Sequence, residues 1–349
     1  MLSPIIDLRS DTVTHPTPAM WEAMRAAPLG DDVLGDEPTV QALEAKIAAL
    51  LGKQAALYVP SGTMANQLAI RVVCGPGDEV IAHRDSHIIH YETGAPAALS
   101  GAMVTTVEGP AGTFDAAAVH AAVRSANVHH PRSRMLVAEN TQNRGGGSVW
   151  PLEQFTAVAA AAHQHGLHVH LDGARLFNAC VAAGYSAAQF TRDADSVSVC
   201  FSKGLGCPVG SVLVASADVI ERARRFRKMF GGGMRQSGLL AGAAIWALDH
   251  HVARLADDHA NAKRLAAGVQ GLPGISLAIA PDKTPTNMVF MTLEPSVGTA
   301  HDFCERLRAH RVRMIAMDPQ RVRAVTHLDV NAAGVDRAIE AVKALVRGA

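Results

Sequence analysis

A two-part α/β architecture is predicted, with a large domain built on a mostly parallel sheet covered by helices on both faces and a small C-terminal α+β domain. Three observations predict it. Short apolar strands alternate with helical patterns through the first two-thirds of the chain, the rhythm of a parallel sheet. The polar residues Ser61, His87, Asn140, Asp172 and Lys203 each end or follow one of those strands, and open α/β sheets bind ligands beyond the carboxyl ends of their strands. After about residue 245 the texture changes to one long amphipathic pattern and then to shorter strands and helices. The reading gives residues 1–245 as the large domain with an N-terminal arm and 246–349 as the small domain.

The elements follow in order. "PTVQALEAKIAALLG" reads as a helix, with Thr39 as its N-cap, Leu43, Ile47, Leu50 and Leu51 on one face and Gly52 at its C-cap. "AALYVPSG" is a strand entering a turn, and "TMANQLAIRVV" is the helix after it. "DEVIAHRDSH" and "RMLVAENTQN" are strands that run into polar loops, the second followed by "RGGGSVWP". "TAVAAAAHQHG" is a helix and "LHVHLDGAR" a strand leading into a loop. In "SVSVCFSKGLGCPVG", Val197, Val199 and Phe201 alternate with Ser196, Ser198 and Ser202, the period of a pleated strand. Farther on, "AIWALDHHVARLADDHANAKRLAAGV" reads as one long connecting helix. "TNMVFMTL", "RVRMIAM" and "RAVTHLDV" are strand-like, and "HDFCERLRAHR" and "DRAIEAVKALVR" are helix-like.

Composition narrows the function classes. The 349 residues are 48% hydrophobic and 18% charged, a soluble globular balance. With 32 basic and 32 acidic residues, the chain has no basic field for nucleic acid. The five cysteines show no C-x-x-C spacing and the N-terminus carries no apolar signal segment, so a cytoplasmic protein is expected. "FTAVAAAAHQHG" is too short to span a bilayer, and no membrane association is expected.

The strand-end residues suggest a chemistry. A lysine at a strand end can attack a carbonyl if its amine is held in a cleft. Lys203 with Asp172 suggests pyridoxal phosphate, whose aldehyde a lysine holds and whose ring nitrogen an acidic residue keeps protonated. "VPSGTMANQ" supplies a phosphate cradle, in which a Ser-Gly-Thr turn opens a helix with free N–H groups. His87 is placed to stack on the ring. His163, His165, His168 and His170 invite a zinc reading, but no convergent further ligand is marked, and no metal is expected. His163 and His165 are read as a solvated helix end, and His170 as packing.

An ordered set of motifs, "IDLRSDTVT", "GDDVLGDEPTV", "VPSGTMAN", "SHIIHYE", "ENTQN", "HLDGARLFNA", "SVCFSKGLGCPVGS", "RKMFGGGMRQSG", "TNMVF" and "RAVTHLDV", runs along nearly the whole chain. It resembles the pyridoxal-phosphate-dependent, low-specificity L-threonine aldolases of the aspartate aminotransferase-like fold, PLP fold type I. The resemblance implies retro-aldol cleavage of L-threonine, L-allo-threonine and related β-hydroxy-α-amino acids to glycine and an aldehyde. It implies Lys203 as the cofactor-bearing lysine, Asp172 at the ring nitrogen, Arg175 near the ring hydroxyl, and Ser61, Gly62 and Thr63 as the phosphate cradle. Arg235 is implied as a further phosphate contact reaching toward a neighbouring subunit. His87 and His129 are implied as the two active-site histidines, and Ser10, Arg323 and Tyr91 as substrate contacts, with Arg323 taking the carboxylate through a bidentate fork. A homotetramer built from two closer dimers is implied, and the arm "DLRSDTVTHPTPAM" is expected to need a partner surface to be held in order. Leu34 and Gln142 stand where relatives often carry tyrosine and histidine, which bears on the substrate side chain. The rival readings are a β-eliminating lyase, racemase or aminotransferase on the same scaffold.

Overall fold

The structure, a computed structural model, describes residues 4–347. Its strands are β1 (Ile6–Asp7), β2 (Ala55–Val59), β3 (Asp78–His83), β4 (Met103–Val107), β5 (Arg132–Glu139), β6 (His168–Asp172), β7 (Ser196–Cys200), β8 (Ser211–Ala215), β9 (Ile275–Leu277), β10 (Met288–Leu293), β11 (Val312–Arg313), β12 (Ile315–Asp318) and β13 (Arg321–Val325). A seven-stranded sheet takes the order β2-β8-β7-β6-β5-β3-β4. β7, β6, β5, β3 and β4 are parallel neighbours, and β8 is antiparallel to both strands that flank it. A four-stranded antiparallel sheet, β12-β13-β10-β9, forms near the C-terminus.

The serine alternation in β7 predicts one solvated face, yet all five residues are buried. Helices cover both faces of a parallel sheet, so the serines are satisfied inside the protein. Ser196 meets His168 and His170, and Ser198 donates to Asn66.

Three large apolar cores hold the architecture among the described residues. One runs from Met20 to Leu255 and contains fully buried Trp150, Phe155, Phe190 and Phe201. Another joins Ile6 and Leu8 to residues from Ala262 to Val346. The third packs residues such as Leu57, Leu68, Val80, Val137 and Leu213. Each such buried large apolar side chain contributes about 1.5–3 kcal/mol.

Three expectations are corrected here. The helix expected to be capped by Thr39 is Pro38–Leu50, with Glu37 at the N-cap position and no side-chain cap bond; Thr39 Oγ1 instead donates to the Pro28 carbonyl at 2.7 Å. Proline is suited to the first helical position, where no N–H is needed. The long connecting helix is two helices, Gly238–His250 and Leu255–Val269. At the break, His251 Nδ1 donates to the Leu205 carbonyl at 2.6 Å and Arg254 reaches Asp258, tying the turn to the loop after Lys203. The N-terminal arm is held by its own chain: β1 pairs with β11, Leu8 is fully buried, and Asp11 is buried against Arg175.

Candidate active site

Lys203 lies three residues beyond β7, at the carboxyl edge of the parallel strands. The chain turns there at once: the Gly206 N–H donates to the Lys203 carbonyl at 2.8 Å, with Gly206 at φ +81°. A side-chain-bearing residue is strained in that region, which is why glycine stands three residues after this lysine. Thr14 Oγ1 donates to the same carbonyl at 3.1 Å. Among the described residues, the Lys203 amine makes no hydrogen bond or ion pair, though its charge acts on both Asp11 and Asp172.

Asp172 ends β6 and is buried. Its Oδ2 accepts from Asn66 Nδ2 at 2.8 Å, and its Oδ1 accepts from the Ala174 N–H at 3.2 Å. Burial pushes this carboxyl up, but the His87 and Lys203 charges and the Asn66 bond outweigh it and hold it below its ordinary value. Glu139 is the register partner of Asp172 on β5. It accepts the His87 N–H at 2.8 Å and the Asn143 N–H at 2.9 Å. Burial and the neighbouring Asp172 charge push Glu139 up to about 7. Of two adjacent buried carboxyls, the one with cations close by keeps its charge.

His87 opens the short helix His87–His90, and its Nδ1 donates to Glu92 Oε1 at 2.8 Å. Burial lowers the imidazole, but Glu92, Asp172 and Glu139 together raise it above its ordinary value. The ligand-type atoms of His87, Glu92 and Asp172 lie within 4.8 Å of one another. N–H donors already join them: Asn66 Nδ2 bridges Asp172 and Glu92, and Gln67 Nε2 meets Glu92 Oε2 at 2.6 Å.

Two buried arginines complete the cluster. Arg175 Nε and Nη2 each donate to Asp11 at 2.7 Å, a closed bidentate pair. Burial pushes the Asp11 carboxyl up, but the charges of Arg175, Lys203 and Arg323 hold it well below the usual carboxylate range. Arg323, on β13, donates from Nη1 to Asn143 Oδ1 at 2.8 Å and from Nη2 to the Arg9 carbonyl at 3.2 Å. Among the described residues, its Nε is buried without a partner. Burial, reinforced by the Arg175 charge, pushes this guanidinium down to about 10.

A family model described as beta-eliminating lyase matches residues 7–294. Low-specificity L-threonine aldolase 1 of Arabidopsis thaliana is 43% identical over 335 residues, covering 95% of this chain and 93% of that protein. The low specificity L-threonine aldolase of Escherichia coli K12 is 43% identical over 328 residues, covering 94% and 95%. The chain belongs to the low-specificity L-threonine aldolases, within the beta-eliminating lyase family. Among solved structures, a Leishmania major threonine aldolase superposes with a TM-score of 0.81 at 23% identity, covering 98% of this chain and 99% of that one. A Thermus thermophilus aspartate aminotransferase superposes with a TM-score of 0.72 at 17% identity, covering 99% and 97%. The fold is therefore the aspartate aminotransferase-like one.

The donor set of this family member fits pyridoxal phosphate. Asp172 is a buried carboxylate held in its charged form, and Lys203 is an amine without a partner among the described residues. In the helix Gly62–Val73, Ser61 Oγ caps the Met64 N–H at 3.2 Å and the Ser61 carbonyl takes the Ala65 N–H. Among the described residues, the Gly62 and Thr63 N–H groups have no protein acceptor, so they and the helix dipole suit an anion. A Cβ on Gly62 would come 2.6 Å from Cys200 Sγ, so only glycine lets the cradle lie this close to the end of β7.

The structure thus brings Lys203, Asp172, Arg175, His87 and Arg323 together. Ser10 caps a 3-10 turn, accepting from the Thr12 N–H at 3.2 Å beside the Arg9–Arg323 contact. The Tyr91 ring lies 5.3 Å from that of His87, and its hydroxyl accepts from Arg144 at 3.4 Å. Arg235 is exposed and pairs with Asp31 at 3.0 Å, and Asp31 Oδ1 also caps Leu34, which is 76% exposed. Gln142 is buried and donates to the Asp85 carbonyl at 2.8 Å.

His129 lies apart from this cluster in its own chain. It is exposed in the turn before Arg132, at the amino end of β5, whereas Glu139 at the other end faces Asp172. Those eight residues span about 23 Å at ordinary strand rise, so His129 is not in the site of its own chain.

The four clustered histidines diverge: His163 meets Asp195, His165 meets His120, and His168 and His170 share Ser196. The sequence reading missed Asp11, Asn66, Glu92, Glu139 and Asn143. All five stand inside the motifs quoted above, where the sequence alone gives none of them a partner.

Proposed function

We propose that the chain cleaves L-threonine, L-allo-threonine and related β-hydroxy-α-amino acids to glycine and an aldehyde, with pyridoxal phosphate as cofactor. One observation carries this reading beyond family membership. Thr14 Oγ1 donates to both the Asp11 and Lys203 carbonyls, Arg175 closes on the Asp11 carboxylate, and Arg323 Nη2 donates to the Arg9 carbonyl two residues before it, so an amine for the cofactor and a guanidinium whose Nε has no partner among the described residues share one place. Arg323 would take the substrate carboxylate there, with Ser10 and Tyr91 as further contacts. Lys203 would hold the cofactor's aldehyde, Asp172 would keep a proton on its ring nitrogen, and Ser61, Gly62 and Thr63 would cradle its phosphate. When bound, the cofactor supplies the electron sink for the pair released by Cα–Cβ cleavage. His87, its Nδ1 engaged by Glu92, offers Nε2 for taking or giving a proton. A part for His129 in the chemistry would require it to reach a neighbouring subunit's site.

We also propose a large and a small domain, with the expected boundary at 245/246 moved to the helix break at 251–254 because the large core reaches Leu255 and the small core takes in Ile6 and Leu8 of the arm, and we read the protein as a cytoplasmic homotetramer of two closer dimers. All five cysteines are free, and no helix among the described residues is long and apolar enough to cross a membrane. The exposed Asp31 turn, with Leu34 and Arg235, is the surface proposed to meet a neighbour. Light scattering should show at least a dimer, and Arg235→Ala should weaken cofactor retention.

The matching family model favours one second reading, β-elimination. Purified holoenzyme should release glycine and acetaldehyde from L-threonine and L-allo-threonine. Pyruvate and ammonia from L-serine, without glycine from threonine, would replace the aldolase reading with elimination.

A further inference from the structure

We propose that His170 is a positioning residue, which through a hydrogen-bond chain of fixed polarity orients the Asn66 amide so that one –NH2 group serves both the Asp172 and Glu92 carboxylates. The functional consequence rests on the reading of Asp172 given above. The polarity stands on the protein alone.

The chain can be worked out from its acidic end. Carboxylate oxygens accept. Asn66 Nδ2 lies 2.8 Å from Asp172 Oδ2 and 2.8 Å from Glu92 Oε1, so both of its hydrogens are committed. Turning the amide over would set its oxygen against two carboxylate oxygens. Asn66 Oδ1 therefore faces the other way, where it accepts from Ser198 Oγ at 2.8 Å and lies 3.0 Å from His170 Nε2. An amide oxygen cannot donate, so His170 Nε2 carries the proton.

His170 is fully buried. Burial pushes its imidazole down to about 4; the Asp172 charge and the Ser196 backbone oppose this, and neighbouring His168 adds to it. A neutral imidazole has one N–H, so Nδ1 is bare and accepts from Ser196 Oγ at 2.8 Å. The serine proton is then used, and Ser196 Oγ accepts from His168 Nε2 at 2.8 Å. Every link sets a donor against an acceptor, and reversing any one of them sets like against like.

The consequence lies at the far end of the chain. The Asp172 charge is met by a neutral amide whose orientation is fixed, and the same amide holds Glu92, which holds His87. The carboxylate that would meet the ring nitrogen and the His87 imidazole are thus registered by one side chain, itself oriented by Ser198 and a buried histidine.

The test uses full-length protein labelled with nitrogen-15 histidine, with cofactor bound and after its removal. His170 should show a protonated Nε2 and a bare, hydrogen-bonded Nδ1 that does not titrate from about pH 6 to about pH 8. Ser196→Ala should shift the Nδ1 resonance toward that of an unbonded nitrogen. Asn66→Asp, which removes the shared donor, should lower kcat about tenfold or more while changing KM for L-threonine far less.

A protonated Nδ1, a charged ring in this range, or a Ser196→Ala spectrum identical to wild type would overturn the proposal. If Asn66→Asp does not fold, the Ser196→Ala spectrum decides. Failure to cleave threonine with the expected tautomer intact would count against the function alone, and a cleaving enzyme with the other tautomer against this inference alone.

Discussion

Arg175 and Arg323 are both buried beside Asp11, yet one is closed and the other is open. Arg175 spends its fork on Asp11 through two 2.7 Å bonds. Among the described residues, Arg323 has only neutral partners, Asn143 Oδ1 and the Arg9 carbonyl, and its Nε has none. The paired arginine holds the arm against the large core, and the under-satisfied one is the group proposed to take a ligand carboxylate. The difference lies in the acceptors nearby, since an unpaired buried donor costs free energy until something fills it.

The largest effect is expected at the closed pair. Arg175→Met leaves Asp11 buried without its main partner and should cost about 3–5 kcal/mol of stability, read by urea unfolding. Arg323→Lys keeps the charge but loses the planar fork. It should raise KM for L-threonine about 10- to 100-fold while leaving the unfolding curve near wild type. Equal loss of stability in both variants would erase the distinction between them.

Glu139 sharpens the comparison through pH. Its folded value, about 7, lies above its ordinary 4.5. Its stabilising contribution is therefore complete below the ordinary value and is lost as pH rises through about 7. Glu139→Gln, measured by thermal melts, should flatten that decline across the same window. The smallest effect is expected for Asn143→Ala, which removes one neutral hydrogen bond from Arg323 and should raise KM by about tenfold at most.

The sequence made the strand ends legible because each chemical residue follows its own strand, and parallel strands deliver their ends to one edge. Lys203, Asp172 and His87 were found in this way. Their partners were not, because a partner is defined by contact across the fold. Asn66 reads as an ordinary helix residue until the fold brings it to Asp172, 106 residues away. Asp11 reads as part of a polar arm until Arg175 closes on it. The sequence marks His129 as close to β5 but not at which edge, and the structure puts it at the edge away from the site. The broken helix at residues 251–254 hid for a similar reason: its cause is the Leu205 carbonyl, which local periodicity does not reveal.

The most direct measurement is a crystal structure of the holoenzyme with glycine, the expected product, bound. The account predicts the glycine carboxylate on Arg323, with a bond to the free Nε, and the Arg175–Asp11 pair unchanged. A carboxylate bound by Arg175 with Asp11 displaced, or one out of reach of Arg323, would contradict it.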